Sequence, residues 1–322
     1  MALSEDVNLV SPVSLMDSAK ETDFSFIYRV VAFFKLIRVK HWVKNSFIFI
    51  PAFFAGQFFH PELVIKLLLG FLAFSLIASS IYIINDYKDI AADKAHPKKQ
   101  HRPLASGAIS LPFAFFSLVV LISAGVFVAF QLGLPFLAVA LLYLVINIGY
   151  SYGLKRVALL DIFILAFGFL LRVLAGGFVA EVVVSEWLVI MIFLLALFLG
   201  IAKRRDDVVL FVESGKQLRH STRNYNLEFL NACLAMVSTV IMVAYVMYTI
   251  SDAVKARLGS DYIYVTAVFV VAGIMRYLQI AMVEKKSGSP TDILYQDPFI
   301  RYTILAWAFT FFILLYGPAL WA

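Results

Sequence analysis

ELVIKLLLGFLAFSLIASSIYIINDYKDIAADKAHPKKQHRPLASG, residues 62–107, is the stretch whose reading decides the fold. From Leu67 to Ile84 no residue is charged. A bilayer core asks for roughly 20 apolar residues per helix, so this run reads as a membrane span. Its end then changes character within one turn. Asn85-Asp86-x-x-Asp89-x-x-x-Asp93 is followed at once by Lys94, His96, Lys98, Lys99, His101 and Arg102. Acid and base are packed against the end of an apolar helix.

Working outward, 62% of the 322 residues are hydrophobic and only 15% charged, against roughly 45–50% and 25% in soluble chains. The excess lies in long runs, near 45–60, 62–85, 110–131, 133–153, 158–178, 186–202, 229–250, 261–283 and 300–320. The expected fold is an all-α polytopic membrane protein of about nine transmembrane helices. An amphipathic segment over about 26–43, with Arg29, Lys35, Arg38 and Lys40 among Phe and Val, is expected along the interface before the first span. The polar start lacks the basic-then-apolar pattern of a signal peptide. It reads as a disordered cytoplasmic tail, 1–24, ahead of a single transmembrane domain, 25–322.

Nine spans place Lys255 and Arg257, with Lys66 just inside a span, on one side of the membrane. The other side receives 29–44, 88–102, Lys155-Arg156, 203–223 and Lys285-Lys286. The positive-inside rule assigns that basic side, with the N-terminus, to the cytoplasm and the C-terminus to the opposite side of the cell membrane. The net charge of +6 is therefore a consequence of topology and no sign of nucleic acid. Cys233 is the only cysteine, so an internal disulfide is excluded, and the five histidines show no paired-ligand spacing.

At 100° per residue Asn85, Asp86, Asp89 and Asp93 share one stripe of a helix. Carboxylates at such spacing repel one another, so a positive partner is required. Mg²⁺ is the natural candidate, because it commonly bridges a few carboxylates to substrate phosphates. The cations that follow suit phosphate oxygens. Together they predict a diphosphate-bearing donor at the cytoplasmic mouth. The plainer alternative is a solvated helix end whose acids pair with nearby lysines; acids that face one way at a membrane mouth are usually functional.

The acidic stretch resembles the first signature of the UbiA superfamily of intramembrane prenyltransferases. The likeness continues through Arg38, Trp42, Lys44 and Asn45, then HPKKQHRPLASG, GYSYGLKR (149–156), Asp161 and LLRVLAGG (170–177), and covers about 35–320. It implies nine helices around a central cavity that opens to the cytoplasm and to lipid, and an enzyme that holds Mg²⁺ and a diphosphate on two Asp-rich motifs. The second motif departs from the usual D-x-x-x-D: it reads Lys203-Arg204-Arg205-Asp206-Asp207. In that departure the chain is similar to one branch of the superfamily, the decaprenyl-phosphate phosphoribosyltransferases, as it is in FGFLLRVLAGG and SPTDILYQD. Such an enzyme moves 5-phosphoribose from its 1-diphosphate onto a polyprenyl phosphate. More anionic groups in the substrates call for more Lys and Arg.

The expected roles follow. Asp86, Asp89 and Asp93 hold Mg²⁺, and Asn85 orients a carboxylate or a donor oxygen. Lys44, Lys98, Lys99, Arg102, Tyr150 and Lys155 contact substrate, although loop lysines also follow from topology alone. Asp161 and Arg172 share a helix face three turns apart, too far to touch, and each is expected to face the cavity or a partner helix. Lys203, Arg204 and Arg205 bind phosphate beside Asp206 and Asp207. Asp297 reads as a helix cap, and Arg276 is ambiguous in the same way as Arg172. The partners are membrane lipid, the polyprenyl phosphate and the donor; an oligomer is possible. Two rival functions stand beside this one. Prenyl transfer from an isoprenyl diphosphate to an aromatic acceptor predicts a better-formed second acidic motif. A transporter predicts charges at the midplane, whereas here they gather at one mouth.

Overall fold

The computed structural model describes residues 27–96, 99–214, 224–285 and 290–321; the expected tail over 1–24 lies outside them. Helix α1 covers 27–36, and a 3-10 helix, Val39–Phe49, leads into α2, Ile50–Phe54. Then follow α3 (Pro61–Lys88), α4 (Ile90–Lys94), α5 (Leu111–Gln131), α6 (Leu134–Tyr152), α7 (Leu160–Ala180), α8 (Glu186–Ser214) and α9 (Leu227–Ile250). The chain closes with α10 (Asp252–Leu258), α11 (Ala267–Met282), α12 (Pro290–Gln296) and α13 (Pro298–Trp321). No strand occurs among the described residues. Eight helices are long and apolar enough to cross a membrane. Of these, α3 and α7 are the most enclosed and α13 the least. Pro61, Pro135 and Pro298 stand in the first turns of α3, α6 and α13, where the missing N–H costs nothing.

The remaining crossing differs from the span read over 45–60. It begins earlier, at Val39, and its first part is 3-10 rather than α. At about 2.0 Å per residue the 3-10 helix rises roughly 22 Å, and α2 adds about 7 Å. Together they match the ~30 Å hydrocarbon core with fewer residues than an α-helix needs. Its contacts along α3 agree. Trp42 donates to Ser79 Oγ at 3.0 Å, Asn45 donates to Ser75 Oγ at 2.9 Å, and Ile48 packs near Gly70. From Trp42 to Ile48 the 3-10 helix therefore runs antiparallel to α3, and descends along it at about the 2 Å per residue that 3-10 geometry requires.

Apolar attraction between helices is weak in lipid, and close packing with interhelical hydrogen bonds takes its place. Gly176 on α7 shows what this requires, since a Cβ there would lie 2.0 Å from the carbonyl oxygen of Ile48. That contact seats the 3-10 helix against α7. Tyr143, Phe74 and Phe136 stack in the same layer. Helix α1 is buried on one side only: Ala32 and Leu36, with Ile37 just after it, pack in one cluster with Ile83, Leu104 and Leu121, while Ile27, Tyr28 and Phe34 are exposed.

α8 continues past the span read over 186–202 to Ser214. The segment between α11 and α13 is clasped by Arg276. Its guanidinium donates to Asp297 Oδ2 at 2.6 and 3.1 Å, to Gln279 and to Glu284 Oε1 at 2.7 Å. Asp297 also accepts from the Ile300 N–H at 2.8 Å, so the expected cap is present.

Two outcomes follow. Gly176→Ala should lower the thermal stability of the detergent-solubilised protein by about 1–3 kcal/mol, as overpacking does. Gly273→Ala, where the nearest contact would be an ordinary 3.7 Å, should be neutral, and equal effects would refute the contact. Arg276 holds the Asp297 carboxyl below the usual carboxylate range. Its contribution is thus present above the unfolded carboxylate's range and lost as pH falls through the folded value. Asp297→Asn should flatten the acid limb of a melting-temperature-versus-pH curve.

Candidate active site

Two charged groups of residues occupy the end of the bundle where α3 finishes, and a third lies deeper. The first is built on α3 and α4. The stripe expected as one continuous helix is interrupted at Asp89, which takes φ −98° and ψ 4°, its N–H bonded to the Asn85 and Tyr87 carbonyls. The interruption divides the acids. Asp86 and Asp93, both buried, meet one guanidinium nitrogen: Arg102 Nη1 donates to Asp86 Oδ1 at 3.0 Å and to Asp93 Oδ2 at 2.7 Å. Arg38 donates to the same Asp86 oxygen, and its guanidinium lies 4.6 Å over the Tyr82 ring. The more open Asp89 accepts from Lys155 Nζ at 2.7 and 2.8 Å, and that ammonium also donates to Asn85 Oδ1 at 3.1 Å.

The positive partner that neighbouring carboxylates require is thus supplied by the chain itself. Arg102 and Lys155, expected as substrate contacts, rest on the acids. Among the described residues no three His, Cys, Asp or Glu side chains gather closely enough to hold a metal by themselves. Two carboxylate oxygens that share one nitrogen are nevertheless near neighbours. Mg²⁺ commonly takes one or two carboxylates from the protein and completes its octahedron with water and phosphate, so this donor set fits it.

The second group joins α7, α8 and the approach to α9. Asp161, fully buried, accepts from Arg204 Nε at 2.5 Å and from the Tyr225 hydroxyl at 2.9 Å. Arg204, itself 1% exposed, also donates through Nη1 to Asp207 Oδ2 at 3.1 Å. Among the described residues its Nη2 is enclosed with no hydrogen-bond partner. Tyr150 at the end of α6 is close enough to act electrostatically on Arg204. A charge pair so enclosed is retained only when it is well hydrogen-bonded, and Tyr225, which also accepts from the Leu159 N–H at 2.6 Å, completes that bonding.

The third group lies deeper. Arg172 donates to Asn45 Oδ1 at 2.7 Å, to the Gly168 carbonyl at 2.6 Å and to the Tyr143 hydroxyl at 2.8 Å. Its plane lies 4.6 Å from the Tyr143 centroid. No acid pairs with it among the described residues, so its charge is stabilised by neutral dipoles and aromatic faces. Asp161 and Arg172 do not meet, as their spacing required. Lys44 lies close enough to Arg172 and Arg38 for both to act on it electrostatically.

The other expected residues divide. Lys203 lies close enough to act electrostatically on His41. Arg205 does not join the site; it donates to Asn231 Oδ1 at 2.6 Å and to the Ala281 carbonyl at 2.5 Å, tying α8 to α9 and α11. Asp206 is buried and acts on Tyr277 of α11. Lys99 opens a short 3-10 turn, Lys99–His101, and its N–H donates to His96 Nδ1 at 3.2 Å. Lys98 lies outside the described residues. Tyr152 is exposed beneath the Lys88 ammonium at 4.1 Å. Arg38, Tyr82, Tyr143 and Tyr225 were not assigned a role from sequence. Arg38 was signalled by its place in the RVKHWVKN stretch, whereas nothing in the sequence links Tyr225 to Asp161.

A bundle of membrane-spanning helices with an acidic cluster and a basic cluster at one end defines the class: the chain belongs to the UbiA prenyltransferase family, whose model it matches over residues 46–210. It is an integral, multi-pass membrane transferase. It is 29% identical over 292 residues to the decaprenyl-phosphate phosphoribosyltransferase of Corynebacterium glutamicum, covering 88% of this chain and 86% of that one. It is 30% identical over 284 residues to the protein of that name from Mycolicibacterium smegmatis, covering 85% and 89%. Its fold is similar to that of a UbiA homolog from Archaeoglobus fulgidus bound to GPP and Mg²⁺, with TM-score 0.66, 19% identity and coverage of 87% and 99%.

Removal of one partner from an enclosed pair leaves an uncompensated charge, at about 3–5 kcal/mol. Asp161→Ala should therefore destabilise the protein strongly in thermal unfolding. Asp161→Ala combined with Arg204→Met should recover much of that loss, and a double variant no more stable than the single one would refute the pairing argument.

Proposed function

We propose that this chain transfers 5-phosphoribose from 5-phosphoribosyl 1-diphosphate to a polyprenyl phosphate and releases diphosphate. The observation that carries this reading is the end of α8. Where an isoprenyl transferase would need a second acidic patch, this chain has a basic run that begins at Lys203, with Asp207 and Asp161 committed to Arg204. The donor brings a 5-phosphate and a diphosphate, and the acceptor brings a further phosphate. A site with Arg38, Lys44, Arg102, Lys155 and Lys203 toward one end of the bundle, and Arg172 deeper, suits that load. The names borne by the corynebacterial and mycobacterial relatives support the same donor and acceptor.

Asp86 and Asp93, with Asp89 beside them, are the residues that would hold Mg²⁺. When bound, the ion neutralises charge on the departing diphosphate, and the Archaeoglobus homolog bound to GPP and Mg²⁺ supports this assignment. Arg102, Arg38 and Lys155 then exchange a carboxylate for a phosphate oxygen, while Asn85 orients the cluster. A polyprenyl phosphate oxygen forms the new bond to C1 of the ribose. The bond from C1 to the diphosphate oxygen breaks, and its electron pair leaves with the diphosphate. The nucleophile is already ionised near neutral pH, so no dedicated base is required. Burial of donors that are already oriented makes their stabilisation of developing charge effective.

The charged end is assigned to the cytoplasm and the C-terminus to the other side, by the bias of Lys and Arg. The Phe-rich outer faces meet lipid, from which the acceptor enters. Residues 25–322 act as one transferase domain. Prenyl transfer to another acceptor is the second reading, favoured by the GPP in the Archaeoglobus homolog.

Membranes given labelled phosphoribosyl diphosphate and polyprenyl phosphate should yield lipid-linked label that requires Mg²⁺ and disappears with chelator. Label from an isoprenyl diphosphate alone would replace this reading with the second. Asp86→Ala should abolish transfer, and full activity in that variant would refute the metal assignment.

A further inference from the structure

Among the described residues three buried side-chain polar atoms lack a hydrogen-bond partner: His41 Nδ1, Arg204 Nη2 and the Tyr277 hydroxyl. Tyr277 is on α11, packed on Phe198, and belongs to the helix interface. Arg204 is already part of the site. His41 has been given no role so far, and its surroundings connect it to the acids. Its ring lies 5.8 Å from that of Tyr82, and Tyr82 is also covered by Arg38, the residue bonded to Asp86. His41 and Arg38 thus share one aromatic ring, one helical turn before the first carboxylate. The charges close enough to act on the imidazole are Lys44 and Arg38 from its own segment, Lys203 from α8 and Asp292 from α12.

An enclosed nitrogen without a partner is costly, about 1–3 kcal/mol, and sites that carry such an atom present it to something. The cations around His41 are the natural partners for phosphate oxygens. A neutral imidazole nitrogen is a donor or an acceptor according to tautomer. A phosphate oxygen satisfies only the first and an isoprenyl chain satisfies neither. A hydroxyl, which donates and accepts, satisfies both.

We propose that His41, placed on Tyr82 beside the Arg38–Asp86 pair with its Nδ1 enclosed and unpartnered, is a specificity-determining residue that hydrogen-bonds a hydroxyl of the sugar ring of the donor. The substrate class it selects is a phosphorylated sugar diphosphate over an isoprenyl diphosphate. A site built to bond a hydroxyl rejects the analogue that lacks one, because the buried group is then left unpaired. This inference rests on the phosphoribosyl reading above and adds to it the residue that distinguishes the two donors.

The test uses the full-length protein in lipid nanodiscs, with His41→Phe, which keeps a ring on Tyr82, and His41→Gln, which restores a group able to donate or accept. Three quantities are measured: kcat and KM for phosphoribosyl diphosphate, the inhibition constant of inorganic diphosphate, and that of geranyl diphosphate. The expected result for His41→Phe is a KM raised about tenfold, the loss of one hydrogen bond. The inhibition constant for inorganic diphosphate should be unchanged, that for geranyl diphosphate equal or lower, and the KM partly restored in His41→Gln. An unchanged KM in His41→Phe, or equal weakening of all three ligands, overturns the role of His41 while leaving the phosphoribosyl reading standing. Absence of transfer from phosphoribosyl diphosphate by the unsubstituted protein fells that reading, and this inference with it. Melting temperatures of both variants within a few degrees of the parent separate a binding effect from misfolding; if His41→Phe unfolds, the comparison of His41→Gln with the parent alone decides, a sugar-donor KM raised less than about tenfold with the inorganic diphosphate constant unchanged being expected there, and an equal rise in every ligand's constant counting against the proposal.

Discussion

A carboxylate enclosed at the end of a membrane helix must meet positive charge, and the rest of this structure depends on how Asp86 does so. Arg38 reaches it from the segment before the first crossing, and Arg102 reaches it from the loop after α4. Each brings its own part of the chain with it. The Arg38 contact holds the entry to the 3-10 helix against α3, and the Arg102 contact folds the loop back over α4 by bonding Asp93 as well. Lys155 does the same for the turn after α6 through Asp89 and Asn85. Three segments remote in sequence are thus gathered at one helix end by electrostatic pairing in a poorly solvated place, where such pairing is strong.

The same cations are suited to a second use. A guanidinium that spans two carboxylates is already oriented, so on the proposed function an arriving phosphate would replace one anion with another. Preorganisation of this kind lowers the cost of binding. The Arg204–Asp161–Tyr225 group is different in kind. Buried and tied to the α7–α8 packing, it fixes the basic end of α8 in place. Arg172, held by Asn45, Tyr143 and a backbone carbonyl, adds a charge without an acid. Across the three groups, the balance moves from charge paired with acids at the end of α3 to a positive charge held by neutral groups deeper in the bundle.

The geometry that makes this possible is the first crossing. An α-helix over the same residues would be about 24 Å long at 1.5 Å per residue, short of the hydrocarbon core. The 3-10 form stretches it, and it lets Trp42, Asn45 and Ile48 keep step with Ser79, Ser75 and Gly70 along α3. Gly176 provides the backbone approach on the other side. A segment that is short and polar can therefore sit in the middle of the bundle and carry Arg38, His41 and Lys44 to the site.

The spans and the side on which the charges gather were legible in the sequence, because hydropathy and loop charge are local properties that lipid reads directly. So was the acidic run from Asn85 to Asp93, since side-chain spacing on a helix follows from chain position alone. The division of that run at Asp89 was not legible, nor was the 3-10 form of the first crossing. The same holds for the outward use of Arg205 and the inward use of Arg204, two adjacent residues of identical charge class. Their directions depend on what stands opposite: Asn231 and the Ala281 carbonyl for one, Asp161 and Asp207 for the other. Sequence by itself determined which charges must be near the membrane surface. Only the tertiary structure decided which of them meet, because pairing depends on distances between helices that no single helix encodes.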